Sequence, residues 1–414
     1  MLSRISAENG TIKIDLNKCY AINGIYPPQK LLRFEMIFQR TYSLMAIHQE
    51  REVLMLTNKQ LSSVIINAIV VKMLVTFPRS IFAYCGNSAW LAMVYVTAVA
   101  FGLFSVIHRL YRTDKNVIGL AERVGGTVLR IITGILVFLV LSLNFVSIIR
   151  VFPEIIRLVL LQKTYVEIIG TVFVLVVIFG ASCGIGAIAR VHQIFLPVAG
   201  IVFLAFLIML VPDLHFGYIL PILGNGIKSI AVSGLSAMSV FADLLVLNIL
   251  IPKMKSVESY RKSGNKAILA GGVCSVLIFL FYGLCYAYPA SKEFIIPVYQ
   301  LERLINLSDF FSRLEALFQF IWSISILLYS AMYAAVLAQV WGETFNLHHK
   351  KPLIAPAVIM LVGFALLPNS LNDMITVESV INRWIYIGAF LIPIIIGVLF
   401  KVKNVSRETK GERI

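Results

Sequence analysis

The chain has 414 residues, of which 59% are hydrophobic and only 14% charged, with a mean hydropathy of +0.88. That composition lies outside the range of soluble domains and excludes a water-soluble enzyme. The formal net charge of +15 would point to nucleic acid in a soluble protein, but here the basic residues fall on alternate loops between apolar runs, so membrane orientation accounts for them and no nucleic-acid partner is expected.

Residues 1–55 read as an N-terminal cytoplasmic extension of mixed polar and aromatic character. It carries Pro27-Pro28 and a basic, weakly amphipathic portion from Leu31 to Arg51, with no apolar h-region near its start. Met55-Leu56-Thr57 directly precedes the first apolar run and is itself a candidate start. From there to about residue 400 the chain alternates apolar runs of about 20 residues, long enough to cross a hydrocarbon core about 30 Å thick, with short polar loops. Ten such runs are predicted.

Span 1 covers about 60–82 and ends in Phe77-Pro78-Arg79, the proline implying that its last turns are irregular. Span 2 covers about 89–108 and is followed by the basic inner loop HRLYRTDKN. Span 3 covers about 127–149, after which RVFPEIIRLVLLQK reads as an amphipathic outer helix at the interface. Spans 4 (about 166–182) and 5 (about 187–211) are joined by the turn SCGIG, and Pro197 predicts a kink in span 5. An outer loop dense in Pro and Gly, PDLHFGYILPILGNGIKS, leads to span 6 at about 229–251, which ends in Ile251-Pro252-Lys253. Span 7 (about 267–288) follows the basic inner loop KMKSVESYRKSGNK, and span 8 is long, about 314–341. Span 9 is about 353–367, span 10 about 381–400, and residues 401–414 read as a polar, mobile cytoplasmic tail. Most of the 36 Lys and Arg lie on the side of the N-terminus, which places both termini in the cytoplasm. The Pro-basic endings of spans 1 and 6 occupy equivalent places in two sets of five but opposite membrane faces, as a 5+5 inverted repeat requires.

Two ionisable residues sit inside apolar spans, Lys72 in span 1 and Asp243 in span 6. A charge at bilayer depth costs roughly 2.5–3.5 kcal/mol on insertion scales, so each needs a partner or a cavity. Three readings stay open: a pair that braces packing, a contact to a zwitterionic or charged ligand, or a proton or ion relay. Ser236, Ser239 and Asp243 share a face of span 6, Val140, Asn144 and Ser147 share a face of span 3, and Trp322, Ser325, Tyr329 and Tyr333 share a face of span 8. Serine and asparagine in membranes are more often glue between helices than ligand contacts, and aromatic stripes are more often packing. The five cysteines show no CxxC spacing, so neither a metal nor a disulfide is expected. No P-loop, nucleotide fingerprint, HExxH or nucleophile elbow occurs; no enzyme activity and no cofactor are expected.

The segments LPILGNGIKSI (220–230), RLEALFQFIWS (313–323), TFPRS (76–80) and ALLP (365–368) together resemble the spore germination protein family, the B subunit of GerA-type germinant receptors within the amino acid, polyamine and organocation (APC) superfamily. The resemblance covers about residues 56–400. It implies an all-α membrane protein with a ten-helix, APC/LeuT-like transporter fold in the spore inner membrane, working with A and C subunits and sensing a small germinant such as an amino acid. A secondary amino acid or polyamine transporter is the alternative. Where the family commonly carries a Gly-Val-Gly-like break in span 1, this chain has Val71-Lys72-Met73, so Lys72 stands there as a side-chain cation. The candidate ligand-binding residues are Lys72, Thr76, Asn144, Ser236, Ser239, Asp243, Ser325 and Tyr329. Membrane lipid headgroups and an acidic partner compete for the basic inner loops.

Overall fold

A computed structural model describes residues 6–8, 11–13, 55–305, 314–368 and 370–409. By internal contacts the chain divides into Met1–Met55 and Leu56–Ile414. In the first unit β1 (Ser6–Glu8) pairs antiparallel with β2 (Thr11–Lys13). The basic portion expected to be amphipathic at 31–51 and Cys19 lie outside the described residues, as do Arg313 of the RLEALFQFIWS motif and the last five residues of the tail.

The second unit is helical. Helix α1 (Asn58–Met73) opens on a capping box: the Gln60 N–H donates to Thr57 Oγ1 while the Thr57 N–H donates to Gln60 Oε1, satisfying donors that the first turn leaves free. It stops at Met73, and after a three-residue turn α2 (Phe77–Cys85) begins, with Pro78 in its first turn. Span 1 is therefore two helices. Pro78 starts the second of them rather than ending the first, because its missing N–H costs nothing in a first turn.

Helix α3 (Ala89–Leu110) runs to a connection that ends at Asn116, whose side chain caps α4 (Val117–Val159). The 43 residues of α4 are about twice what the bilayer core needs, and the chain leaves helical geometry once, at Gly125 and Gly126. The amphipathic surface helix expected after residue 149 is not separate: α4 continues through Pro153, and Val151, Phe152, Glu154 and Ile155 are buried. Glu154 is held there by Arg150 at 2.8 Å and Arg157 at 3.4 Å, one turn away on either side, which offsets the cost of burying its carboxylate.

Helices α5 (Val166–Ser182) and α6 (Ile185–Met209, with Pro197 inside it) present apolar side chains such as Phe179 and Ile194 outward, 73% and 74% exposed, as lipid-facing helices do. The segment after the outer loop is irregular. Ser229–Ser233 forms a π-turn, Gly234–Asp243 a 3₁₀ helix of ten residues, and only Leu244–Ile249 is regular helix (α7). Runs of 3₁₀ beyond three or four residues are uncommon and mark strain or a hinge. Helices α8 (Val257–Cys285), α9 (Pro297–Leu304), α10 (Leu314–Thr344), α11 (Ile354–Ala365) and α12 (Leu371–Thr409) complete the chain. The last helix starts well before the expected 381 and continues through 401–409, the first part of the expected tail; Lys403 Nζ donates to the carbonyls of Arg123 and Val124 at 3.0 and 2.7 Å.

Among the described residues, seven helical stretches are long and apolar enough to cross a membrane, with Val166–Ser182 and Lys351–Ala365 as shorter apolar helices. At the centre, α1 packs on α6, α8 and α10, and the 3₁₀ segment lies against α12, α3 and α1. The C-terminal end of α7 is clasped on several sides. The Ile249 carbonyl accepts from Asn116 Nδ2 and Gln339 Nε2, and both amides also donate to the Glu343 carboxylate, at 2.7 and 2.8 Å. Lys350 completes the group at 3.2 Å from Glu343. Asn248 Oδ1 accepts from the Val117 N–H, and the Leu56 N–H donates to the Lys253 carbonyl. Burial holds the Lys253 ammonium below the usual lysine range, Lys350 acts the same way, and Glu343 opposes both.

Candidate functional site

The break after α1 and the 3₁₀ segment face each other, and the two mid-membrane charges meet there. Lys72, in the last turn of α1, places Nζ 3.1 Å from Asp243 Oδ2 and donates to the Ser239 carbonyl at 2.8 Å. That carbonyl lies inside the 3₁₀ segment and carries a second lone pair beyond the one its backbone bond uses, so it can accept from the lysine as well. Asp243 is 0% exposed and its other carboxylate oxygen accepts from the Tyr333 hydroxyl of α10. Tyr329 lies one turn before, its ring centroid 4.5 Å from that of Tyr333, and Phe145 of α4 stacks on the far side of Tyr333 at 6.4 Å. Three elements thus converge on one carboxylate. The Ser239 hydroxyl, fully buried, has no hydrogen-bond partner among the described residues.

A second carboxylate stands beside the pair. Thr76, at the N-terminal end of α2, donates its hydroxyl to Glu378 Oε2 of α12. Glu378 is also hydrogen-bonded by Asn382 and lies within the electrostatic reach of Lys72. A further polar node joins α1, α6 and α10 one to two turns away: Asn67 Nδ2 donates to the Ser325 carbonyl at 3.0 Å and faces His192 Nε2 at 3.4 Å, while His192 Nδ1 bonds the Ile188 carbonyl of its own helix.

Of the residues singled out in the sequence, Lys72, Ser239, Asp243 and Tyr329 come together, and Thr76 borders them through Glu378. Ser325 belongs to the Asn67–His192 node through its backbone. Asn144 and Ser236 bond carbonyls of their own segments, Val140 at 3.4 Å and Ser233 at 2.6 Å. Three contributors were missed: Glu378, because the stretch before residue 381 reads as a loop, Asn382, at the very start of the expected span 10, and Asn67, a lone amide in an apolar helix. Tyr333 was visible only as part of an aromatic stripe. Among the described residues no cluster of His, Cys, Asp and Glu could hold a metal ion.

Residues 55–374 match a profile described as Spore germination protein. YfkT of Bacillus subtilis strain 168, whose name places it among spore germination proteins, is 26% identical over 331 residues, covering 77% of this chain and 88% of its own length. Spore germination protein B2 of the same organism is 22% identical over 337 residues, covering 78% and 87%. Among solved structures, Mhp1, a nucleobase-cation-symport-1 family transporter in a closed conformation with bromovinylhydantoin bound, superposes with a TM-score of 0.56 at 13% identity, covering 84% of this chain and 93% of Mhp1. The fold is that of a membrane transporter. With the profile spanning most of its length, this multi-pass membrane protein belongs to the spore germination protein family.

Proposed function

We propose that the protein is the B-type subunit of a germinant receptor in the spore inner membrane, and that a small germinant, an amino acid in the first instance, binds where α1 breaks beside the 3₁₀ segment. The observation that carries the reading is the buried Lys72–Asp243 pair at the two interrupted helices of a spore germination family member. Interrupted helices at mid-membrane are where transporter-like folds bind their solutes, since freed backbone groups and buried charges are tolerated only where they line a site. The reading includes a ten-helix transmembrane domain over 56–400 arranged as a 5+5 inverted repeat, with residues 1–55 as a separate extension, and A and C subunits as partners.

Spores lacking this chain should fail to respond to at least one small-molecule germinant, and restoring it should recover the response only when its partner subunits are present. Response from this chain alone would contradict the reading. The transporter fold favours a second function, secondary transport of an amino acid or polyamine. Solute flux into proteoliposomes holding the purified chain alone would support that function over sensing.

A further inference from the structure

The hydrogen bonds at the centre name the sign of charge it lacks. Lys72 spends two of its three N–H donors on Asp243 at 3.1 Å and the Ser239 carbonyl at 2.8 Å, and Asp243 already balances its charge, so a ligand's carboxylate gains little there. Asp243 is equally committed, one oxygen to Lys72 and the other to Tyr333. Glu378 differs. Its donors, the Thr76 hydroxyl and the Asn382 amide, are neutral dipoles, and among the described residues the structure records no ion pair for it. The nearby basic residues are engaged elsewhere: Arg79 donates to the Lys292 carbonyl at 3.2 Å, and the Arg383 guanidinium lies over the Tyr84 ring at 5.4 Å. Two carboxylates therefore share one ammonium, and Glu378, half-buried, is the more accessible of the two while Asp243 is sealed.

We propose that this centre takes a cationic group, the primary ammonium of a small organic molecule or a monovalent metal ion, against the Glu378 carboxylate. This rests on the reading that the small molecule binds here, and it reverses the role that Lys72 suggests in the sequence: the lysine holds the two interrupted helices together, and recognition falls to a carboxylate on α12. Buried charge drives the preference, since a carboxylate with only neutral donors gains most from a counter-charge that arrives with the ligand. Thr76 orients that carboxylate from the first turn of α2, so the break in span 1 senses whether the cation is present.

The test uses the full chain in lipid nanodiscs and reads the melting temperature against concentration of propylammonium, potassium, propionate and propanol. Propylammonium or potassium should raise it and propionate and propanol should not; Glu378→Gln, which keeps shape and hydrogen bonding, should weaken the cation's apparent affinity by at least about tenfold. Stabilisation by propylammonium alone assigns the site to an organic amine, and stabilisation by potassium to an inorganic ion. Equal stabilisation by propionate or propanol, no stabilisation by either cation, or an unchanged response in Glu378→Gln would overturn the proposal. Should Glu378→Gln fail to fold, the wild-type series decides by itself. None of these readings depends on whether spores need the chain to germinate, so failure here leaves the receptor assignment standing.

Discussion

At the residue scale, the central fact is that Lys72 and Asp243 are worth more to each other than either is alone. Removing two ions from water costs several kcal/mol each, and their attraction with two further hydrogen bonds roughly offsets it. Lys72→Met strands a sealed carboxylate and should destabilise the protein by about 3–5 kcal/mol, whereas Lys72→Met with Asp243→Leu should recover most of that loss. Thermal unfolding of the four proteins of this cycle in one detergent checks the expectation; equal losses in the single and double variants would contradict it. This pair was legible from sequence because a charge in an apolar run has so few cheap solutions. Glu378 was not. Asn372, Asp373 and Glu378 dilute hydropathy enough for the stretch before 381 to read as a loop, and only packing of α12 on the 3₁₀ segment reveals it as part of the centre.

At the scale of elements, what the sequence hid is where regular helix gives way. Proline marked the neighbourhood of the break in span 1 but not its side, since the same residue is tolerated at a helix start and disfavoured inside. Ser233, Gly234, Ser236 and Ser239 are weak helix formers within span 6, and the structure has ten residues of 3₁₀ there. The LPILGNGIKSI motif acts at this scale as well. Asn225 Nδ2 and the Ser229 hydroxyl both donate to the Tyr84 carbonyl, tying the outer loop to the end of α2. Gly224 sits at φ +48°, where a Cβ would fall 2.5 Å from the Cys85 carbonyl oxygen and 2.7 Å from the Ser88 nitrogen. Gly224→Ala combines left-handed strain with a backbone clash and should cost about 2–4 kcal/mol. Its melting temperature, and protease cleavage of the 211–228 loop in intact vesicles, should report the loss; an unchanged protein would mean that this turn does not need glycine.

At the scale of the whole molecule, the membrane class, the α-helical architecture and the family were all readable from the chain, because hydropathy sums over many residues and tolerates local error. The continuation of α4 past residue 149 was not, since an amphipathic period describes a helix at a lipid interface and one packed in a bundle equally well. The asymmetry of basic residues makes a direct prediction of orientation. In a cysteine-free background, Lys255→Cys, exposed beside the C-terminal end of α7, should react with a membrane-impermeant maleimide only after the membrane is opened. Labelling in intact cells would reverse the assigned orientation.

The most direct measurement is the germination response of spores carrying Lys72→Met with Asp243→Leu, compared with wild type across a panel of small germinants, after the variant is shown to be monodisperse in detergent. Because the two buried charges disappear together, folding survives, while Glu378 loses the ammonium whose field it shares with Asp243, and recognition at the interrupted helices is altered. The account predicts a folded receptor subunit whose response to its germinant is lost or shifted by at least about tenfold in concentration. A well-folded double variant with a normal response would contradict the placement of germinant recognition at the interrupted helices.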